Sequence, residues 1–314
     1  MGDAAAHDIC PVIAGPTAVG KTALVVALAA RFPIEIVSLD SRQIYHGLRL
    51  GTAQPDAVEL AACPHHLVDF LPPQERYSAR RFRDDFQRVA TGIRARGRFP
   101  VLVGGAGLYL SAVRDGLFTL PADPAALAQV RHELDALPDD EIRARLLAED
   151  PASWARIHAR DRYRSQRALE IRRLAGESMS DLMAARRPDP ALGWEYPLVV
   201  LDRDRKDLRA RIAARLQAML AAGWLEETAG LVARHGADCP GLRTLGYREL
   251  AAHLAGESDL AAALATVELR TGQYAKRQQT WFRAQPRLLC GTPDDPALRD
   301  EAARLLARAC AGAA

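Results

Sequence analysis

Short apolar runs separated by amphipathic segments dominate the first part of the chain and return near residue 200. Buried strands are predicted by the apolar runs at residues 11–14, 34–39, 100–105 and 196–201. Helices are predicted where apolar residues recur every three or four positions, at residues 22–31, 77–98 and 207–223. Because strands that alternate with helices form parallel sheets covered by helices on both faces, this pattern indicates an α/β fold.

The pattern changes between the third and fourth predicted strands. Residues 123–190 show helical spacing and no clear strand, and helices follow residue 207 to the end of the chain. We therefore predict a core formed by residues 1–120 and 191–314, interrupted by a mostly helical insertion over residues 121–190.

The first strand runs directly into a P-loop, Gly15-Pro16-Thr17-Ala18-Val19-Gly20-Lys21-Thr22, and a predicted helix follows it. Strand, loop and helix are the context that this motif requires. The backbone N–H groups of such a loop converge on phosphate oxygens at the positive end of a helix dipole. Lys21 adds a positive charge and Thr22 is a candidate ligand for Mg²⁺. The sequence thus predicts a P-loop core that binds a phosphorylated small molecule, for which ATP is the default.

Asp40 ends the second predicted strand, whereas the third ends in Gly104-Gly105. An ATP hydrolase of this class usually ends a buried strand with a metal-orienting Asp. Since strand ends line the ligand crevice of such a sheet, Asp40 is a candidate to hold metal through water or to accept a proton. An Asp-Ser pair is also typical of a turn or a helix cap, and the sequence leaves both interpretations open.

Arginine-rich segments distribute the net charge of +3 unevenly. Residues 156–187 hold nine arginines against four acids, and residues 270–287 hold five basic residues and no acid. Aromatic residues accompany both blocks, as is typical of surfaces that bind a polyanion such as RNA. A solvated helix face is the alternative. Within residues 275–283, the other alternative to an RNA contact is an amphipathic helix with Trp281 and Phe282 in the core.

Composition excludes several classes of protein. No apolar run is long enough to span a membrane, and the first ten residues lack the basic cluster of a secretory signal. Five cysteines without a C-x-x-C pair predict reduced thiols and argue against a zinc site. His65-His66 lacks companion ligands and is predicted to be structural or exposed to solvent. We expect a cytoplasmic protein, monomeric by default and without a membrane segment.

Taken together and in order, these segments resemble one family, the tRNA dimethylallyltransferases, also called tRNA isopentenyltransferases. The resemblance is carried by the P-loop and by residues 40–45, 51–55, 64–69, 77–82, 103–109, 166–171, 242–247 and 275–283. It implies transfer of a dimethylallyl group from dimethylallyl diphosphate to N6 of adenosine 37 of tRNA, with Mg²⁺ present. The P-loop would then hold a diphosphate leaving group, and the helical insertion would contact the anticodon stem.

The resemblance also implies roles for individual residues. The catalytic residues would be Asp40, Lys21 and Thr22. Asp40 would be the base, and Thr22 would ligate the metal. Diphosphate would contact the P-loop residues Gly15, Pro16, Thr17, Ala18, Val19, Gly20, Lys21 and Thr22, together with Arg211 and Arg215. The tRNA would contact Asp40, Ser41, Arg42, Gln43, Ala106, Tyr163, Arg164, Ser165, Gln166, Arg167, Leu242, Arg243, Thr244, Leu245, Gly246, Tyr247, Lys276, Arg277, Gln278, Trp281 and Arg283.

Two positions depart from the family pattern. The family usually has Gly-Gly-Thr after the third strand, where this chain has Ala106, so a hydroxyl group expected near the reacting base is missing. The family often has Lys or Arg after the tyrosine at position 45, where this chain has His46, whose charge depends on pH.

Two other functions compete with prenyl transfer. A nucleotide or small-molecule kinase on the same scaffold would turn over ATP. An RNA-binding protein that senses a nucleotide without chemistry would retain RNA and form no product.

Overall fold

The computed structural model describes residues 8–117, 123–184 and 193–311, and the predicted boundaries of the insertion, at 120/121 and 190/191, lie outside these ranges. The chain divides into two compact units. One, which we call the sheet unit, comprises Met1–Arg114 and Pro190–Ala314, and the other, the helical unit, comprises Asp115–Asp189.

The sheet unit contains the strands β1 (Asp8–Ile9), β2 (Val12–Ala14), β3 (Ile34–Leu39), β4 (His65–His66), β5 (Phe99–Gly104), β6 (Trp194–Glu195), β7 (Leu198–Leu201) and β8 (Leu289–Gly291). Six of them form a parallel sheet in the order β4-β3-β5-β2-β7-β8, and β1 pairs with β6 separately. The four predicted strands are confirmed as β2, β3, β5 and β7.

Helices cover both faces of the sheet, as predicted. The helices of the sheet unit are α1 (Lys21–Ala29), α2 (Ala57–Ala62), α3 (Ala79–Ala95), α4 (Gly107–Arg114), α10 (Arg205–Ala221), α11 (Trp224–His235), α12 (Tyr247–Leu254), α13 (Leu260–Arg283) and α14 (Pro296–Ala311). Successive strand residues point to opposite faces. Ile13 accordingly packs with α1 and α14, whereas its neighbour Val12 packs with α3 and α4. Both faces are therefore apolar, which explains the continuous apolar runs in the sequence.

Helices α10 to α13 build a further core of their own. Trp224 and Tyr247, both fully buried, lie at its centre and pack edge to face. Ile44 and Leu48, from the loop that follows β3, belong to the same core. Since that loop starts where β3 ends, this core lies at the carboxyl edge of the sheet.

The helical unit contains α5 (Pro124–Asp135), α6 (Asp139–Glu149), α7 (Pro151–Arg156), α8 (Arg162–Ala175) and α9 (Met179–Ala184). Over residues 123–184 the backbone forms no strand, in agreement with the predicted helical character. Leu134, Ile142, Leu146, Ala168 and Leu169 make a small core of this unit's own. Across the described ranges of both units, no helix has the length and apolar character needed to cross a membrane.

Candidate active site

The P-loop connects β2 to α1 through a backbone conformation that requires glycine at two positions. Gly20, at the N-cap of α1, has a φ of 105°, a left-handed value that glycine adopts without strain. A Cβ atom on Gly15 would overlap the carbonyl oxygen of Leu201. No side chain caps α1 and its first turn contains no acid, so the N–H groups at this helix end are available to an anion.

Lys21 folds back over the loop. Its Nζ atom donates hydrogen bonds to the carbonyl oxygens of Gly15, at 3.0 Å, and Pro16, at 2.8 Å. Burial lowers the pKa of Lys21 to about 8, and the nearby Asp40 carboxylate opposes that shift. Thr22, the predicted metal ligand, is half-buried one residue further along.

Two arginines on α10 face the P-loop in different ways. Arg211 is exposed, and its Nε atom donates to the carbonyl oxygen of Ala18 at 2.8 Å. Its guanidinium group therefore supports the loop itself. Arg215, one helical turn later, lines a cavity beside the loop. Burial lowers the pKa of Arg215, and Asp40 again opposes the shift.

Asp40 lies just after β3, half-buried on the wall of the same cavity. Its Oδ1 atom accepts hydrogen bonds from the backbone N–H of Arg42, at 2.7 Å, and of Gln43, at 3.3 Å. The turn interpretation of Asp40 is thus confirmed, and the turn fixes the carboxylate in place. Within the described residues, no hydrogen bond engages its Oδ2 atom.

The residues that follow Asp40 separate into two groups. Ser41 and Arg42 line the cavity. Gln43 is used inside the protein, since its Nε2 atom donates to the carbonyl oxygen of Ala53 at 2.6 Å and its Oε1 atom accepts from Ser38 Oγ at 2.9 Å. Its side chain therefore holds two loops together.

The cavity has a volume of about 550 Å³ and lies entirely within the sheet unit. It joins the P-loop, the end of β3, the face of α10 and the face of α13. Its wall includes Thr17, Ala18, Asp40, Ser41, Arg42, Ile212, Arg215, Leu216, Met219, Trp224, Arg243, Thr244, Leu245, Arg248, Val267, Arg270, Tyr274 and Arg277. One part of the wall is cationic and another is apolar.

Several cavity arginines lack a carboxylate partner. Among the described residues, Arg42, Arg215, Arg243 and Arg277 form no ion pair, and Arg277 lies over the ring of Tyr274 at 5.8 Å. Arg248 and Arg270 instead share the buried carboxylate of one residue, Glu249. The unpaired guanidinium groups leave positive charge available to a ligand.

The segment 242–247 is mostly interior. Leu242, Thr244, Gly246 and Tyr247 are buried, Leu245 is half-buried, and Arg243 is exposed. The hydroxyl group of Tyr247 donates to Glu227 and accepts from the backbone N–H of Gly51. Thr244 lines the cavity, and its buried Oγ1 atom has no hydrogen-bond partner in the part of the chain that the structure describes.

Helix α13 presents the predicted residues of 275–283 on different sides. Lys276 and Arg277 are exposed, whereas Gln278 is buried. Arg283 pairs with Asp202, and its Nη2 atom lies 2.9 Å from Oδ2 of that carboxylate. The core interpretation of the aromatic pair is confirmed for Phe282, which is fully buried, and in part for Trp281, which is half-buried and packs against the same core.

Two remaining predictions concern Ala106, which follows β5, and the histidine pair that forms β4. Trp281 fills the space beside Gly107, and Ala106 next to it is half-buried, with its N–H donating to the carbonyl oxygen of Leu39 at 3.0 Å. His65 and His66 form β4, and His66 Nε2 lies 2.6 Å from Oε2 of the buried Glu35. The structural interpretation of this pair is confirmed.

In the helical unit, α8 carries the other predicted contacts. Tyr163 is 76% exposed, and the Arg164 side chain is 70% exposed beside Asp161. Ser165 is fully buried. Gln166 donates to the carbonyl oxygen of Leu134 and to Asp135, and Arg167 pairs with Glu170. Only Tyr163 and Arg164 of the five predicted residues are thus largely exposed.

Sequence reasoning did not place the apolar wall of the cavity, or three of its polar residues, at the site. Met219 and Trp224 had no local signal, because their positions depend on the packing of α10 against α13. Gly51 and Gly246 both lie against the Trp224 ring, where any Cβ atom would overlap it. Arg270 and Tyr274 belong to the basic block of residues 270–287, and Arg248 follows the segment 242–247, but only the fold places them on the cavity wall.

This arrangement combines three chemical capacities in one cavity. The P-loop and Arg215 can stabilise a polyphosphate, the carboxylate of Asp40 can accept a proton, and the apolar wall can hold a hydrocarbon. A transfer from a diphosphate ester to a neutral nucleophile requires all three.

Comparison with known proteins agrees with this chemistry. Residues 43–285 match the family model "IPP transferase", and residues 9–67 match "Isopentenyl transferase". A tRNA dimethylallyltransferase of Bordetella parapertussis is 47% identical over 279 residues, covering 87% of this chain and 89% of the relative. One from Halorhodospira halophila is 45% identical, covering 90% and 92%.

Solved structures give the same answer. The full-length tRNA isopentenylpyrophosphate transferase from Bacillus halodurans is 33% identical, with 97% of each chain covered and a TM-score of 0.70. A eukaryotic dimethylallyltransferase, described as acting on tRNA, is 25% identical, with 91% of this chain and 74% of that chain covered and a TM-score of 0.77. From its fold, its cavity and these likenesses, the chain belongs to the tRNA dimethylallyltransferase family.

Proposed function

We propose that this protein transfers a dimethylallyl group from dimethylallyl diphosphate to N6 of adenosine 37 in tRNA and releases diphosphate. As a family member it is a transferase that prenylates tRNA. The donor, the target nucleotide and the residue roles are our proposal. The observation that carries it is the meeting of the P-loop, Asp40 and an apolar wall in one cavity.

The P-loop end of the cavity would bind the diphosphate of the donor. The free N–H groups at the start of α1, the ammonium group of Lys21 and the unpaired guanidinium group of Arg215 all favour negative charge there. As the allylic C–O bond breaks, charge grows on the leaving oxygen. Groups already fixed around that oxygen stabilise the transition state more than the ground state.

Mg²⁺ fits this end of the site. No group of three or more His, Cys, Asp or Glu side chains is arranged to hold a metal among the described residues. The chain offers the Thr22 hydroxyl as one ligand, and Mg²⁺ commonly takes few protein ligands beside substrate phosphates and water. When bound, the metal would supply further charge stabilisation to the diphosphate.

The apolar wall would hold the dimethylallyl group. Arg215 and Met219 are four residues apart on α10, so they stand on one face of the helix about 6 Å apart along its axis. Leu216 and Trp224 adjoin Met219 on the cavity wall. A short hydrocarbon attached to a diphosphate at Arg215 would reach this apolar region.

Asp40 would act on the acceptor. The N6 amine of adenine is a weak nucleophile because its lone pair is delocalised into the ring, so removal of a proton assists attack. Asp40 is held by the N–H groups of Arg42 and Gln43 through one oxygen, which leaves the other for the N6 proton. The target base must leave its stack to enter a cavity, so we expect base flipping.

The tRNA itself would be held by exposed cationic and aromatic residues. Arg42, Arg243 and Arg277 surround the cavity, and Lys276 lies beside them on α13. In the helical unit, Tyr163 and Arg164 would contact the anticodon stem. All five cysteines are unpaired, as in proteins from reducing compartments, and we place the enzyme in the cytoplasm as a monomer.

One assay tests this function. The protein is incubated with unmodified tRNA, Mg²⁺ and dimethylallyl diphosphate, and the digested nucleosides are weighed. We expect the mass of one dimethylallyl group to appear on adenosine, and not in a tRNA whose position 37 is guanosine. ATP turnover on a small molecule would instead support a kinase. Retention of RNA without any mass gain, across several tRNAs and with folded protein, would support a binding protein.

A further inference from the structure

One buried side chain connects helix α13 to the P-loop. Gln278 is 7% exposed, and its Oε1 atom accepts a hydrogen bond from the backbone N–H of Thr17 at 2.9 Å. Its Nε2 atom donates to the carbonyl oxygen of Gly105 at 3.0 Å. The amide thus bridges the P-loop and the segment after β5, which are 261 and 173 residues away from it in the chain.

The surroundings of this amide are closed. A Cβ atom on Gly105 would overlap the amide nitrogen of Gln278, so that glycine is required for the contact. Both ends of the amide already have protein partners. Little capacity therefore remains for a nucleotide at Gln278, although it stands between the exposed Arg277 and the half-buried Trp281.

The neighbouring Gln279 adds a second connection to the loop. Its Nε2 atom donates to Asp202 Oδ1 at 2.6 Å and to the carbonyl oxygen of Arg203 at 3.0 Å. Arg203 in turn donates through Nε to the carbonyl oxygen of Val19 at 3.1 Å. Two adjacent glutamines on α13 therefore hold the loop at two points, at Thr17 directly and at Val19 through Arg203.

We propose that Gln278 is a positioning residue of the diphosphate site and not an RNA contact. It fixes the P-loop at Thr17 relative to Gly105, the residue after β5. It thereby fixes the direction in which the N–H groups of the loop face the donor. This inference rests on the proposed function for the identity of the donor. The support that α13 gives to a diphosphate-binding loop does not depend on which molecule accepts the dimethylallyl group.

The test separates binding of diphosphate from binding of RNA. The Gln278→Met variant keeps the length of the side chain and removes both hydrogen bonds. We expect the Kd for inorganic diphosphate with Mg²⁺, measured by calorimetry, to rise about tenfold or more, since two buried backbone groups lose their partner. The Kd for an anticodon stem-loop RNA, measured by fluorescence anisotropy, should stay within about twofold, the range of a surface substitution without contacts.

Two matched variants on α13 provide the controls. Lys276→Ala, which removes an exposed charge, should show the opposite pattern, with weaker RNA binding and unchanged diphosphate binding. Glu268→Gln, exposed on the same helix and outside the cavity, should change neither. In turnover assays, Gln278→Met should raise the donor KM more than it lowers kcat.

Several results would overturn the inference. Weaker RNA binding by Gln278→Met with unchanged diphosphate binding would make Gln278 an RNA contact, and no change in either Kd would make the bridge irrelevant. If the Met variant does not fold, Gln278→Leu, which also removes both hydrogen bonds, carries the same two measurements with the same criteria. A wild-type protein that binds diphosphate but forms no product would refute the proposed function and leave this test intact.

Discussion

The cavity of the sheet unit and helix α8 of the helical unit are both rich in arginine, but their arginines are differently engaged. On α8, Arg164, Arg167 and Arg173 each pair with a carboxylate of their own unit. Around the cavity, Arg42 and Arg215 have no such partner among the described residues.

A count of charges in the sequence does not show which arginines are already paired in the folded protein. A guanidinium group already paired in the folded protein must give up that pair to bind a phosphate, so its net contribution to binding is small. An unpaired guanidinium group in a partly buried cavity is costly in the free protein and gains much from an anion. We therefore expect substitutions at the cavity to have the larger effects.

The largest effect is expected at Asp40. Asp40→Asn keeps an oxygen for the N–H groups of Arg42 and Gln43 but cannot accept the N6 proton, so kcat should fall by about 10²- to 10⁴-fold. The affinity for tRNA should be unchanged. Single-turnover assays and RNA-binding measurements separate the two. Asp69→Asn is the control, since Asp69 also accepts a backbone N–H, that of Gly47, but lies off the cavity wall.

Arg215 and Arg173 provide the direct comparison between the two regions. Loss of one charged hydrogen-bond donor to the diphosphate should raise the donor KM of Arg215→Ala by about 10- to 100-fold. Arg173→Ala removes a paired arginine from α8 and should leave the donor KM near that of the wild type. Steady-state kinetics at fixed tRNA concentration measures both. Equal effects would remove the distinction between paired and unpaired arginines.

The pH dependence of donor binding should report Lys21. Burial lowers its pKa to about 8 in the free protein, so the ammonium group is charged below that pH and neutral above it. Between pH 7 and 9 the charged fraction falls from about 0.9 to about 0.1, and diphosphate affinity should fall by up to about tenfold. Because a bound anion favours the charged form, binding near pH 8.5 should take up protons.

Calorimetry in two buffers with different ionisation enthalpies measures that proton uptake directly. Lys21→Arg, whose charge does not titrate in this range, is the control and should bind without proton uptake. A wild-type affinity that is flat from pH 7 to 9 would mean that another group supplies the charge.

The smallest effect is expected on α8. Arg164→Glu combined with Arg167→Glu should weaken tRNA binding several-fold and reduce its salt dependence by roughly one unit of slope for each phosphate that the variant no longer neutralises. Titrations at several salt concentrations measure both quantities. Arg145→Glu, at a half-buried and ion-paired position of α6, is the control. An unchanged affinity would identify the basic block as a solvated face.

The sequence predicted the centre of the sheet well and its edges poorly. Strand β3 matches its predicted bounds because all six of its residues are buried and apolar runs are visible in the sequence. Strands β4 and β8 at the edges of the sheet, and β1 and β6, which pair outside it, contain two or three residues each and were not predicted. Their pairing is decided by neighbours that are distant in the chain.

The candidate site divides in the same way. The P-loop and Asp40 were recognisable because each signal is local: a motif between strand and helix, and an acid at a strand end. Gln43 and Gln278 were expected to contact tRNA, and Arg211 was expected to contact diphosphate. In the structure, each of these side chains donates a hydrogen bond to a backbone carbonyl oxygen of the protein. Nothing in the local sequence distinguishes an amide that binds RNA from one that binds a carbonyl group elsewhere in the chain.

The close approach of β5 to β3 has a consequence for how the site can vary. A Cβ atom on Gly104 would overlap the backbone at Leu39, and one on Gly105 would overlap Gln278. Both positions are therefore restricted to glycine, and Ala106 is the first residue after β5 that has room for a side chain. Chemical variation on this side of the site is thereby confined to one position, where this chain carries a methyl group and the family pattern has a hydroxyl group.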